Sequence, residues 1–205
     1  EFTKQQNHDL ELHKIFLKET HLPAETKDHC RIQLTANMEL LEEIPSIKEN
    51  GAEGVGLYRS EFLFINRKEL PSEEELFKSY QKILKSIYPH AVTIRSLDLG
   101  GDKIPTTYPY DKEANPALGL RAIRFCLREK ALFKTQLRAM LRSSLYGKLK
   151  ILFPLICEIE EIKRTKEILE EVKAELNQEK IDFDPHTKVG IMIEVPSSVM
   201  IAEEL

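Results

Sequence analysis

The chain has 205 residues, 41% of them hydrophobic and 31% charged, with a formal net charge of −4. That is enough apolar material for one domain with a buried core, and it is not the composition of a disordered chain. The slight acidic excess excludes the basic footprint of a nucleic-acid binder, and no stretch approaches the roughly 20 apolar residues of a membrane span.

Residues 1–7 read as a frayed end, and the polar opening of residues 1–20, with charges of both signs, is not a signal peptide. From His8 to Thr20 the positions of Leu10, Leu12, Ile15, Phe16 and Leu17 follow a helical period, and Pro23 ends that segment. Residues 1–28 are therefore expected to form a lead-in linker helix ahead of a main domain at 29–205.

From Cys30 onward a rhythm appears. Apolar, β-leaning runs occur at Cys30–Thr35, Gly54–Tyr58, Ala91–Leu97, Leu149–Ile156 and Val189–Val195, each followed by a segment of helical period. Ser72 with Glu75, ahead of Leu76, Phe77, Tyr80, Ile83 and Leu84, reads as a capping box that opens a helix. Asn115 to Gly147 is long enough for two helices, with Asn115 as a cap, Pro116 at the first helical position and Gly147 as an end signal. Between Glu158 and Gln178, Ile159, Ile162, Ile168, Leu169, Val172 and Leu176 make one apolar stripe against lysine and glutamate.

Strands this continuous in apolar character are expected to lie in a parallel sheet, buried on both faces beneath helices. The spacing predicts an α/β fold of the (β/α)8 TIM-barrel type. Such barrels take about 250 residues, so this chain holds about the first five of eight β/α units, an incomplete barrel. A doubly wound open sheet is the alternative, although no glycine-rich turn follows the first run. Two open edges and exposed inward-facing residues such as Ile94, Ile151 and Ile193 are then expected.

Charged residues recur where apolar runs end: Arg59 after the second, Arg95 in the third and Glu194 in the fifth. In a barrel these points ring the active-site mouth. Taken singly, each arginine reads as a rim salt bridge. As a set they suggest more, because planar guanidinium forks suit a ligand bearing phosphate and carboxylate. A glutamate facing them is explained by a cation such as Mg²⁺ bridging to the same phosphate, with further ligands from elsewhere. Gly100-Gly101-Asp102-Lys103 just past the third run reads on its own as an ordinary turn, and Arg121 as either mouth-facing or surface. The six histidines show no metal-ligand spacing, and the three cysteines, Cys30, Cys126 and Cys157, suit reduced thiols in the cytoplasm.

Gly51-Ala-Glu-Gly-Val-Gly-Leu-Tyr-Arg-Ser-Glu-Phe-Leu-Phe64 resembles the signature of the phosphoenolpyruvate-utilising enzymes, and Arg95–Lys103, Asn115–Arg124 and Gly190–Pro196 resemble its later motifs in order. Ser60 stands where threonine is expected and keeps the hydroxyl. Within the family, Gly-Gly-Asp-Lys is similar to the enzyme I branch of the bacterial sugar phosphotransferase system. The alternatives are a pyruvate phosphate dikinase, a phosphoenolpyruvate synthase or a non-catalytic binding module. The resemblance implies a TIM barrel that binds phosphoenolpyruvate and Mg²⁺, with Arg59 and Arg95 on the substrate, Arg121 and Lys103 as secondary contacts, and Glu194 on the metal. It also implies a homodimer and phosphoryl transfer through a histidine to the carrier protein HPr. The family's phosphohistidine run is not found in this sequence, and its second metal carboxylate and proton-donor cysteine belong to later strands, so the chain alone is expected to be inactive.

Overall fold

The structure is a computed structural model and describes residues 2–65, 67–100 and 119–205. A helix, α1 (Phe2–Glu19), precedes the sheet; it starts earlier than the expected 8–20 and stops four residues short of Pro23. Five strands follow, β1 (Ala36–Met38), β2 (Gly54–Arg59), β3 (Ala91–Arg95), β4 (Lys148–Phe153) and β5 (Lys188–Ile191). They interleave with α2 (Ile44–Glu49), α3 (Glu73–Ile87), α4 (Ala122–Arg128), α5 (Lys130–Ser143), α6 (Ile159–Gln178) and α7 (Pro196–Met200). All the pairings are parallel and the order is β1-β2-β3-β4-β5, so the sheet never reverses as a doubly wound sheet must, and it is open between β1 and β5.

The first strand lies later than expected. Within Cys30–Thr35, Ile32 N–H donates to Ala24 O, while Leu34 exchanges hydrogen bonds with the Glu53 carboxylate and main chain. Those backbone groups are spent locally, and the ladder begins only at Ala36. β4 and β5 are also shorter than their apolar runs. Pro154 removes the next donor after Phe153, and beyond Ile191 only Met192 N–H still reaches β4, at Phe153 O.

The sheet is not buried on both faces, which corrects the sequence expectation. Val55, Tyr58, Val92, Ile94, Leu149, Ile151 and Phe153 are buried in one core with α3, α5 and α6. On β4 the alternate residues Lys148 and Lys150 are exposed. Ile94 and Ile151 pair directly across β3 and β4 and are 0% and 1% exposed, so they face the helices rather than open space. Ile193 is 51% exposed, as expected. The edge strand β5 also leaves Val189 40% exposed.

Local rules explain the helix starts. Ser72 Oγ accepts from Glu75 N–H at 3.3 Å while Glu75 Oε2 accepts from Ser72 N–H at 2.8 Å, the expected capping box. Ser72→Ala should destabilise the protein by about 1 kcal/mol in urea denaturation. The Ser72 main chain, Arg67 and the Ser72 hydroxyl hold Glu75 down at about 2, from an ordinary 4.5. A depressed carboxylate stabilises the fold above its unfolded value, so this contribution is present above about pH 4.5 and lost as pH falls toward 2. Titrating stability from pH 6 to 2 in parent and Glu75→Gln should show the parent losing its advantage across that window. At Gly54, φ is +134° and a Cβ would lie 2.6 Å from Ala91 O, so only glycine lets β2 begin against β3 here.

Candidate functional site

The carboxyl ends of β2 and β3 are in register, with Arg59 paired to Arg95. Arg95 also pairs with Leu152, which lies on the same face as Lys148 and Lys150, so the arginines stand on the face the helices leave uncovered. Arg95 is the centre of the cluster. Its guanidinium binds the Glu61 carboxylate, lies 2.9 Å from Asp98 Oδ2, and reaches Met192 Sδ, just beyond β5, at 3.9 Å. Arg121, at the N-terminus of α4, donates to the other Asp98 oxygen at 2.9 Å. One carboxylate thus bridges two of the predicted arginines. Arg59 is drawn aside to Glu39, beyond β1.

Glu194 is not among the ion pairs of that cluster. It is exposed, and Oε1 accepts from Leu155 N–H at 2.7 Å, which ties the loop after β5 to the loop after β4. Lys103, with Gly101, Asp102, Asn115 and Pro116, lies outside the described residues. Among the described residues, no group of three or more His, Cys, Asp or Glu side chains is placed to share a metal.

Burial divides the arginines. The Arg95 side chain is 10% exposed and that of Arg59 40%. The side chains of Glu61 and Asp98 are as enclosed as that of Arg95. Burial pushes the Glu61 carboxyl above the ordinary range, against an opposing main-chain hydrogen bond and the Arg95 charge. Among the described residues, Arg95 Nε, Arg121 Nε and Glu61 Oε2 are buried without a hydrogen-bond partner. Arginines 59, 95 and 121 against carboxylates 39, 61 and 98 make the cluster charge-balanced.

Sequence reasoning missed Glu39, Glu61 and Asp98 as partners. A signal was present for two of them: each strand-end arginine is followed by a carboxylate, two residues later in Arg59–Glu61 and three later in Arg95–Asp98. Cys126 is buried in the core, where burial pushes its thiol up. Cys157, in the loop between β4 and α6, accepts from Arg124 Nη2 at 3.0 Å.

Residues 15–205 match the family described as "PEP-utilising enzyme, PEP-binding domain". Curated relatives are named phosphoenolpyruvate-protein phosphotransferase. That of Priestia megaterium is 48% identical over 176 residues, 86% of this chain and 31% of its own length. Those of Mycoplasma capricolum and Haemophilus influenzae are 44% and 43% identical over 89% and 90% of this chain, and 32% of their own lengths. The chain thus spans about a third of the relatives it matches.

Proposed function

The chain belongs to the phosphoenolpyruvate-utilising enzymes, within their PEP-binding domain family, and from that premise we propose that it supplies the first part of a (β/α)8 barrel that binds phosphoenolpyruvate for phosphoryl transfer to a histidine. The observation that carries this reading is the in-register pair Arg59 and Arg95 at adjacent strand ends, with Arg121 joined to Arg95 through Asp98. The sequential parallel order with one uncovered face supports the barrel, whose inner wall that face would become. The name the relatives share favours a phosphotransferase over a dikinase or synthase. In this reading the histidine passes the phosphoryl group to HPr, in a cytoplasmic homodimer that serves sugar transport.

Each residue has a distinct task. Arg95, held on two sides by carboxylates, is preorganised and presents charge without a reorganisation cost at the moment of transfer. Arg59 is more exposed and must leave Glu39 to close on the substrate. Arg121 and Lys103 add secondary contacts. Because the six charged groups balance, a phosphorylated carboxylate finds little net attraction from them alone. Glu194 fits one position of a Mg²⁺ site: its Oε1 is fixed by Leu155 N–H, and Mg²⁺ commonly takes one or two carboxylates with substrate phosphate and water. A metal held there would supply the positive charge that the balanced cluster lacks toward a phosphoryl group.

Calorimetric titration tests this. The protein should bind phosphoenolpyruvate more tightly with Mg²⁺ than without it, and Glu194→Gln should erase the difference. Arg59→Ala removes a charge-assisted contact of about 1.5–3 kcal/mol and should weaken binding about 10- to 100-fold. Affinity indifferent to both substitutions sinks the reading.

A further inference from the structure

A polar side chain sits deep in the core behind the arginine cluster. Gln136 is on α5, 0% exposed, in an otherwise apolar stripe with Leu132, Phe133, Leu137 and Met140. A buried amide in such a stripe costs stability unless its donors and acceptor are used. Here they are used on the carboxyl ends of β2 and β3. Leu97 N–H donates to Gln136 Oε1 at 2.9 Å, and Gln136 Nε2 donates to Ser60 Oγ at 2.9 Å and to Tyr80 Oη at 3.2 Å. The main-chain N–H of Leu97 is only a donor, which fixes which end of the amide is oxygen. Ser60 Oγ in turn donates to Arg95 O at 2.6 Å.

The main chain around Arg95 is therefore held at three successive points. Ser60 Oγ binds Arg95 O, Ser96 N–H donates to Leu152 O at 2.9 Å, and Gln136 Oε1 binds Leu97 N–H. Only the middle bond belongs to the sheet. The outer two run through one side-chain relay that also fixes Ser60, the residue next to Arg59. We propose that Gln136, acting with Ser60, is a positioning residue that sets the register of Arg59 and Arg95 toward a phosphorylated ligand; this rests on the phosphoenolpyruvate reading above. Gln136 does not touch the ligand. It acts because Arg95 can hold Glu61 and Asp98 together only from one main-chain position, and a shift of an ångström there misplaces both carboxylates.

The experiment uses Gln136→Met, which keeps side-chain length and removes the hydrogen bonds, with Ser60→Ala and Ser60→Thr. Three quantities are read on ¹⁵N-labelled protein: hydrogen exchange of the Leu97 amide against that of Ile94, the Arg95 Nε–H resonance, and affinity for phosphoenolpyruvate with Mg²⁺. Gln136→Met should raise Leu97 exchange at least tenfold relative to Ile94, move the Arg95 resonance, and weaken binding about tenfold in a folded protein. Ser60→Ala should act in the same direction, and Ser60→Thr, by restoring the hydroxyl, should rescue it. A lower melting temperature with the Arg95 resonance and the affinity unmoved overturns the proposal and leaves Gln136 as structural only. If Gln136→Met does not fold, the Ser60 pair decides on the same readouts. If the parent protein does not bind phosphoenolpyruvate, the functional reading falls, while Leu97 exchange and the Arg95 resonance still decide the positioning role.

Discussion

Arg95→Ala is expected to cost the fold about 3–5 kcal/mol at pH 8, besides abolishing the proposed phosphoenolpyruvate binding. Removing one partner of a buried ion pair is expensive because the other charge stays buried. Asp98 keeps Arg121 when Arg95 is lost, but Glu61 keeps no cation among its observed ion pairs. Its carboxyl, already raised by burial, then rises further. A group whose folded value lies above its unfolded value stabilises the fold below the unfolded value and loses that contribution as pH rises through the folded one. The deficit of Arg95→Ala should therefore shrink on acidification and be largest in mild alkali. Adding Glu61→Gln should recover part of the loss at pH 8 and little at pH 5. Urea denaturation at both pH values reads this directly. A single variant within about 1 kcal/mol of the parent at pH 8 would contradict the buried pair.

How much of this was legible in the sequence depends on what kind of signal each feature leaves. The α6 stripe, the Ser72–Glu75 box and the arginines at strand ends are local patterns, and the structure has them at those places except that Ile159, the first of the stripe, is 37% exposed. β1 and the end of β5 were misplaced because an apolar run does not by itself mark a ladder: Ile32 and Leu34 are 46% and 57% exposed, and a strand runs only where its partners do. The face of each strand was misread too. The parity was there to be read: Val92 and Ile94 alternate with Thr93 and Arg95, as Leu149, Ile151 and Phe153 alternate with Lys148 and Lys150, and in-register pairing of Ile94 with Ile151 puts the two apolar sets on one face. The carboxylates around Arg95 and the Gln136 relay were harder. Asp98 is three residues from Arg95, but the Glu61 pair and the Gln136 relay join residues 34 to 76 positions apart, and no local period encodes such a meeting. Gln136 left a trace as a polar residue inside an apolar helical stripe, beside the carboxylates that follow each strand-end arginine.

The one-sided sheet makes the second large prediction. Phe133, on α5, is 0% exposed, and its ring meets that of Phe153 edge to face at 6.1 Å between centroids. Phe133→Ala removes that contact and leaves a cavity between α5 and β4, so it should cost about 3–5 kcal/mol. Lys150→Ala, on the opposite face of the same strand, should stay within about 0.5 kcal/mol of the parent. Both are read from urea midpoints at constant slope. Comparable losses at the two positions would mean that both faces of β4 are packed, and the face shared by Leu152 and Arg95 would then be closed to a ligand. A large loss at Phe133 beside tolerance at Lys150 places the cost of folding on the helix side, and leaves the arginine-bearing face open to the ligand, metal and further strands of the proposed reading.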